Sequence, residues 1–198
     1  MQTVYFDYNA TTPLDSKVRE AMLPYLGGVW GNPSSVHHVG RQARAALDEA
    51  HERAARVLGC KPSEVVFTSG GTESANLAIL GAARSLKAKG CHIITSSVEH
   101  PAVLQCCEYL AQQEGFELTC LPVNQEGLVS SDSLSAAIRP DTVLVSVMAA
   151  NNEIGTIQPV AELGAICRQR SVVFHTDAVQ WFGKEPFEGV RQFNADLV

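Results

Sequence analysis

The sequence predicts an α/β fold in which helices flank a mostly parallel sheet in three layers. From residue 64 onward, short apolar strand-like runs alternate with helical patterns, as in consecutive strand–helix–strand units. Several of these runs are apolar throughout, which is typical of strands that are covered on both faces. We expect one large domain at residues 15–198, preceded by an N-terminal arm at residues 1–14.

The first elements are marked by capping residues. Asp15 is a typical N-cap for a helix predicted over residues 15–26, and Gly27 with Gly28 ends it. A long, charged, amphipathic helix is predicted over residues 36–58, and Gly59 stops it. Before these helices, residues 4–6 read as a short strand or an extended arm.

The remaining elements alternate regularly. Five strands are predicted, at residues 64–68, 92–95, 116–122, 142–148 and 172–176. Helices are predicted at residues 72–89, 101–113, 131–138 and 160–170. The last of the five strands should be central in the sheet. Residues 196–198 read as the beginning of another strand, so we expect the sheet to be incomplete at the C-terminus.

Composition excludes several classes of function. The chain has 198 residues, a formal net charge of −6 and 45% apolar residues, as in an ordinary globular protein. The acidic balance argues against a nucleic-acid partner, because phosphate backbones select basic surfaces. No apolar run approaches the roughly 20 residues of a membrane span. Asp7 and Asn9 also interrupt any signal peptide, so we expect a cytoplasmic protein with no membrane partner.

The cysteines are also consistent with a cytoplasmic protein. The chain has six: Cys60, Cys91, Cys106, Cys107, Cys120 and Cys167. A chain of this length can build its core without disulfides, and it has no Cys-x-x-Cys pair of the kind found in zinc sites. We expect no metal site and mainly buried, unreactive thiols.

Polar residues cluster where predicted strands end. In open α/β sheets, ligands bind at the carboxyl ends of the strands. Four such ends carry polar runs, at residues 69–74, 96–100, 149–155 and 177–180. One polar end is expected by chance, but four together predict a site.

The Ser-Gly-Gly-Thr run at residues 69–72 lies between a predicted strand and the start of a helix. Glycines let the backbone approach an anion, the helix N–H groups point at it, and Thr72 adds a hydroxyl. The run therefore predicts a phosphate cradle, although it lacks the Gly-Lys-Ser/Thr ending of a nucleotide-binding loop. The alternative is a tight turn with Thr72 as the N-cap.

Two further polar groups have both a structural and a functional interpretation. His100 precedes Pro101; it either packs against the sheet, or stacks on a planar cofactor and moves a proton. Asn151, Asn152 and Glu153 follow an apolar strand. Their side chains either cap the next element or hold a ligand hydroxyl or carboxylate.

Asp177 ends the strand at residues 172–176. A buried carboxylate is costly unless it is paired, and a protonated ring nitrogen would pair with it and keep the ring an electron sink. Gln180 shares its face if a helix follows; the alternative is that Asp177 is only an N-cap. A phosphate cradle, a ring-stacking histidine, an amide and a carboxylate together describe a pocket for pyridoxal 5′-phosphate.

Six motifs resemble those of the cysteine desulfurases of the NifS/IscS type, which are class V, fold-type I pyridoxal phosphate enzymes. The motifs are DYNATTP at 7–13, GNPSS at 31–35, FTSGGTES at 67–74, EH at 99–100, ANNEIGT at 150–156 and HTDAVQ at 175–180. They follow the family's order from about residue 3 to Val198. The resemblance implies the large, cofactor-binding domain of this family.

The resemblance also implies a role for each site residue. Gly71 and Thr72 would hold the cofactor phosphate. His100 would stack on the pyridine ring and act in catalysis by helping proton transfer.

Three side chains would contact the rest of the cofactor by the same resemblance. Asn152 would contact its phenolic oxygen and the substrate. Asp177 would bind the pyridinium nitrogen, and Gln180 the phenolic oxygen.

The family's reaction is a sulfur transfer. It converts L-cysteine to L-alanine and leaves a persulfide on an enzyme cysteine, which feeds iron–sulfur cluster assembly and other sulfur pathways. The resemblance implies a homodimer that meets a sulfur acceptor or an iron–sulfur scaffold protein. Selenocysteine lyases and other class V aminotransferases share the motifs and stay open as alternatives.

The sequence departs from the family pattern in its covalent chemistry. The family's Schiff-base lysine lies in a Ser-x-His-Lys run, and none of the five lysines here lies in one. None of the six cysteines matches the context of the persulfide cysteine, and the small domain with its substrate-binding arginine is missing. The resemblance therefore implies the N-terminal half of a desulfurase, inactive alone; the alternative is a truncated module without catalysis.

Overall fold

The structure is a computed structural model that describes residues 3–198. Residues 1 and 2 of the expected arm lie outside the described residues. The chain forms two compact units, one ending at Val66 and one running from Phe67 to Val198, and each is described by itself. The division into an arm at residues 1–14 and a domain at residues 15–198 stays a prediction.

The first helix of the first unit, α1, spans Ser16–Met22. Asp15 caps it as predicted, because its Oδ1 accepts a hydrogen bond from the N–H of Lys17 at 2.8 Å. The predicted continuation to residue 26 is instead a separate 3-10 turn, Leu23–Leu26. Pro24 explains the break, since proline cannot donate the backbone hydrogen bond that an α-helix needs.

The second helix, α2, spans His38–Leu58. It begins two residues later than predicted because His37 is the N-cap, with its Nδ1 accepting from the N–H of Gly40 at 3.2 Å. Gly59 ends it as predicted, in the left-handed conformation with φ 68°. Residues 4–6 form no strand.

The second unit is an open parallel sheet with flanking helices, which confirms the predicted fold class. Its strands are β1 at His92–Ser96, β2 at Glu117–Leu121, β3 at Thr142–Ser146 and β4 at Val173–His175. Its helices are α3 at Gly71–Leu86, α4 at Pro101–Gln113, α5 at Ser131–Ala137 and α6 at Val160–Gln169. The strand order is β2-β1-β3-β4, and every pair is parallel.

Helices cover both faces of this sheet. Because alternate side chains of a strand point to opposite faces, neighbouring residues of β1 enter different cores. Ile93 packs with buried residues of α3 and α4. Ile94 packs with buried residues of α5 and α6. All five residues of β1 are buried, as the continuous apolar pattern predicts for a strand between two helix layers.

The predicted strand at residues 64–68 is wrong. Pro62–Glu64 is a 3-10 turn, and the residues that follow belong to no strand. Val65 has extended dihedrals, with φ −93° and ψ 126°, but Val66 is 65% exposed. The sheet of the described chain runs β2-β1-β3-β4 without this segment, and an apolar extended run becomes a strand only through a hydrogen-bonded ladder.

The expectation that the last strand is central is also wrong within the described residues. β4 is hydrogen-bonded to β3 on one side and stands at the end of the strand order. Its other side carries one isolated parallel bridge, between His175 and Leu197. The N–H of Thr176 donates to the carbonyl of Leu197 at 3.0 Å, so the predicted start of a further strand does pair there.

The cysteines differ in burial, and all six are free thiols. Cys106, Cys107 and Cys167 are buried, Cys60 and Cys91 are partly buried, and Cys120 is exposed. Burial raises the pKa of Cys107 and of Cys167 to about 12, so these two are inert, as expected. Across residues 3–198, no helix combines the length and apolar character that crossing a membrane requires.

Candidate functional site

The predicted site residues lie at one edge of the second unit. His100, Asn152 and Asp177 follow β1, β3 and β4, which are neighbours in the sheet and parallel. The carboxyl ends of these strands therefore meet at the same edge. The N–H of Ala149, after β3, donates to the carbonyl of Asp177 at 2.8 Å, which ties two of these ends together.

The start of α3 presents backbone donors that the helix itself does not use. Its N-cap is Gly70, with no side-chain cap bond, so the alternative of Thr72 as the N-cap is wrong. The first bond of the helix runs from the N–H of Ser74 to the carbonyl of Gly70 at 3.1 Å. The N–H groups of residues 71–73 have no partner within the helix. An anion there would accept these donors and be stabilised by the helix dipole.

Gly71 brings the start of α3 against the turn that follows β4. A Cβ on Gly71 would lie 3.1 Å from Cγ2 of Val179, which is closer than ordinary van der Waals contact. Val179 lies between Asp177 and Gln180 in the chain. The bare backbone of Gly71 therefore places the phosphate-cradle candidate beside these two predicted side chains.

Asp177 is half-buried and opens a turn rather than a helix. Its Oδ1 accepts from the N–H of Val179 at 2.9 Å. Asp177 therefore caps the turn that follows, which resembles the capping role proposed as the alternative. No helix follows Asp177, so the condition for a helical face shared with Gln180 is not met: residues 179–184 form turns. Gln180 is half-buried, and its Oε1 contacts Nζ of Lys184.

His100 is exposed at the N-cap of α4. Its Nδ1 accepts from the N–H of Ala102 at 3.1 Å. A neutral imidazole that accepts at Nδ1 carries its proton on Nε2. The ring is therefore fixed at one nitrogen and exposed, which excludes the interpretation that it packs against the sheet.

The two asparagines differ in burial and in the groups that they contact. Asn151 is buried and holds the turn: its Oδ1 accepts from the N–H groups of Glu153 at 2.8 Å and Ile154 at 2.9 Å. Its Nδ2 donates to the carbonyl of Val98 at 2.9 Å, which joins the turn to the loop before His100. Asn152 is half-buried beside it, and its Nδ2 donates to Oε1 of Glu153 at 2.9 Å.

Sequence reasoning assigned no role to Glu99, which lies inside this network. The side chain is buried, with 8% exposure. Its Oε1 accepts from Oγ of Ser96 at 2.5 Å and from the N–H of Met148 at 2.9 Å. Burial and the charge of Asp177 raise the pKa of Glu99, the two hydrogen bonds lower it, and the net value is about 8. The signal in the sequence that could have identified Glu99 was a carboxylate placed between an apolar strand and a helix.

Comparison with known proteins decides the family. The model of the aminotransferase class-V family matches residues 4–198. The chain belongs to this family. Cysteine desulfurase IscS of Dictyoglomus turgidum is 54% identical over 195 residues, which are 98% of this chain and 49% of that protein. The human cysteine desulfurase is 48% identical over 199 residues, covering 100% of this chain and 43% of that protein.

Solved structures agree with this assignment. A NifS-like protein superposes with a TM-score of 0.94 at 41% identity, over 98% of this chain and 53% of the other. SspA, in a structure described as a complex with cysteine, superposes with a TM-score of 0.92 at 42% identity, over 98% and 56%. The resemblance to NifS/IscS-type proteins is confirmed. This class-V chain spans about half the length of the curated relatives that it matches.

Proposed function

We propose that this class-V chain is the cofactor-binding part of a cysteine desulfurase, a pyridoxal 5′-phosphate enzyme that takes sulfur from L-cysteine. One observation carries the proposal: the start of α3 and the ends of β1, β3 and β4 are joined by short contacts into one edge. Six proposed site residues lie there: Gly71, Thr72, His100, Asn152, Asp177 and Gln180.

The start of α3 suits the cofactor phosphate. Backbone donors at residues 71–73 point out of the helix, and Thr72 is exposed with its hydroxyl not used for capping. A Cβ on Gly71 would lie 3.1 Å from Cγ2 of Val179, so glycine leaves this approach less crowded than any other residue would. Gly71 and Thr72 would bind the phosphate through N–H groups and a hydroxyl.

Asp177 and His100 suit the two sides of a planar ring. The half-buried carboxylate of Asp177 would hold a proton on the ring nitrogen, which is the partner that a half-buried charge needs. When bound, pyridoxal phosphate supplies an electron sink for the carbon next to the substrate's amino group. The exposed imidazole of His100 would cover the ring and carry a proton at Nε2, since Nδ1 is held by the N–H of Ala102.

Asn152 and Gln180 would orient the phenolic side of the cofactor, and Asn152 would also contact the substrate. Both are half-buried at the ends of β3 and β4. L-cysteine as the substrate is supported by relatives named cysteine desulfurase and by a neighbour solved in complex with cysteine. The products would be L-alanine and an enzyme persulfide that a sulfur acceptor or iron–sulfur scaffold protein receives. A cytoplasmic homodimer belongs to the same proposal.

Binding of pyridoxamine 5′-phosphate tests this proposal. The amine analogue is chosen because it forms no Schiff base with surface lysines. We expect Asp177→Asn to weaken binding about 10- to 100-fold, since a hydrogen bond to a charged group contributes about 1.5–3 kcal/mol. Thr72→Ala should weaken binding by a smaller factor. The measurement is equilibrium dialysis.

The matched control is Asp132→Asn, an exposed aspartate in the first turn of α5. It should leave the affinity unchanged. Equal effects of the two aspartate substitutions, or no binding by the wild type, would contradict the proposed function.

The 198-residue chain alone should not release sulfur from L-cysteine. None of its five lysines lies in a Ser-x-His-Lys run, so it has no lysine in the position from which the family's chemistry starts. Alanine and sulfide should stay at the level of a control with pyridoxal phosphate and no protein. Production above that level would refute this expectation.

A further inference from the structure

Glu99 bridges two strand ends of the site from inside the protein. Ser96 is the last residue of β1, and Met148 follows β3; both donate to the same oxygen, Oε1. The other oxygen, Oε2, is buried and has no hydrogen-bond partner within residues 3–198. One oxygen therefore accepts both of the hydrogen bonds through which the Glu99 side chain joins the ends of β1 and β3.

The connection lies next to the segments that carry two of the proposed site residues. His100 is the next residue after Glu99, and its backbone leads directly into α4. Asn152 lies in the turn that follows β3, which is tied to the same loop by the bond from Asn151 to the carbonyl of Val98. Glu99 thus lies between the loop that carries the histidine and the turn that carries the amide.

The surroundings favour a neutral side chain. The carboxylate of Asp177 raises the pKa of Glu99. Glu99 in turn raises the pKa of its two neighbouring thiols, Cys107 on α4 and Cys120 on β2. Within the described chain, no basic group is among the influences on Glu99. An ionised carboxylate would leave a buried charge without a cation, which is strongly unfavourable. A protonated one keeps its carbonyl oxygen for the two donors.

We propose that Glu99 is a positioning residue that, as a neutral carboxylic acid, joins the ends of β1 and β3 and so holds His100 and Asn152 in place around the cofactor. This inference rests on the proposed cofactor site. Ionisation of Glu99 would charge the interior beside Asp177 and loosen both loops. Cofactor affinity should therefore fall at alkaline pH through Glu99 itself.

The test compares the wild type with Glu99→Gln across pH 6 to 9.5, with pyridoxamine 5′-phosphate as the probe in equilibrium dialysis. Glutamine keeps the accepting oxygen and cannot ionise. Changes in the probe's own protonation cancel in the ratio of the two dissociation constants. At pH 6 the two dissociation constants should agree within about twofold. At pH 9 the wild type should bind about tenfold more weakly than Glu99→Gln. The reason is that a group with a pKa of about 8 is only about one-tenth protonated at that pH.

Two further variants separate positioning from general damage. Glu108→Gln, an exposed glutamate on α4, should follow the wild type at every pH. Glu99→Ala removes the accepting oxygen. At pH 6 it should bind the probe at least about tenfold more weakly than the wild type, because the hydrogen bonds from Ser96 and Met148 are lost. If the alanine variant does not fold, the comparison between wild type and Glu99→Gln decides alone.

The outcomes are distinct. A ratio that stays constant from pH 6 to 9.5, while the wild type binds the probe, overturns this inference and leaves the proposed function standing. No binding by the wild type at any pH overturns the proposed function and this inference together. A ratio that rises above pH 8 supports the inference, because a merely structural glutamate would shift affinity equally at all pH values.

Discussion

Replacing Gly164 with alanine should destabilise the protein by about 3 kcal/mol. Gly164 lies in α6 where that helix meets the 3-10 turn Val190–Phe193. A Cβ there would lie 2.6 Å from the carbonyl oxygen of Asn194 and 2.8 Å from its Cβ. Both are backbone-anchored atoms, so no flexible side chain can move aside.

Asn194 is held too firmly to move away. Its backbone is left-handed, with φ 51°, and its Nδ2 donates to the carbonyl of Ala161 at 2.8 Å. Phe193 beside it is buried in the core under α6. A shift that made room for the new methyl group would strain this turn and open the packing of Phe193, which explains the size of the expected loss.

Gly81→Ala is the matched control for this substitution. Gly81 lies inside α3, is exposed, and has no atom within 4 Å of the position of a Cβ. Alanine should therefore stabilise the helix by about 1 kcal/mol, because glycine is a poor helix former. Urea denaturation of both variants measures the contrast, and a loss of similar size in both would contradict the explanation by close packing.

The elements that follow local rules could be predicted from the sequence. The helix at residues 101–113 is found with its predicted limits, since a proline at its first position marks the start. The segment at residues 64–68 has an equally clear apolar pattern, yet it is not a strand. A strand depends on a neighbouring chain segment, and apolar periodicity carries no information about that neighbour.

The same difference separates the candidate site residues. The convergence of His100, Asn152 and Asp177 at one edge of the sheet could be predicted, because polar residues after parallel strands meet there by topology. Glu99 could not be assigned a role, because that role depends on two donors from different strand ends. The turn at Gln180 was not predicted either. Gly183 has a left-handed backbone with φ 78°, but a glycine there marks an end without showing whether a helix or a turn precedes it.

The pH dependence of stability should show two buried groups that act in opposite directions. Burial raises the pKa of Glu99 from 4.5 to about 8. The folded state therefore binds a proton that the unfolded state releases, and this contribution is complete below pH 4.5 and is lost as the pH rises to 8. Burial lowers the pKa of His175 from 6.5 to about 4, so its contribution is complete above pH 6.5 and is lost as the pH falls to 4.

These contributions cancel between pH 4.5 and 6.5, where each changes the free energy of unfolding by about 1.4 kcal/mol per pH unit with opposite sign. From pH 6.5 to 8 only the loss from Glu99 continues. From these two groups, the free energy of unfolding should be constant between pH 4.5 and 6.5. Between pH 6.5 and 8 it should fall by about 2 kcal/mol.

Glu99→Gln isolates the effect of the carboxyl group. At pH 8 the variant should be more stable than the wild type by about 2 kcal/mol. Removing an ionisation cost of about 4 kcal/mol outweighs about 2 kcal/mol for burying an amide N–H₂ without an acceptor. Below pH 6.5 its stability should fall as the pH decreases, since His175 then acts alone. Urea denaturation from pH 4.5 to 8.5 measures both, with Glu108→Gln as the control. If the stability difference between Glu99→Gln and the wild type does not grow as the pH rises from 6.5 to 8, the raised pKa of Glu99 is wrong, because the cost of the buried amide does not depend on pH.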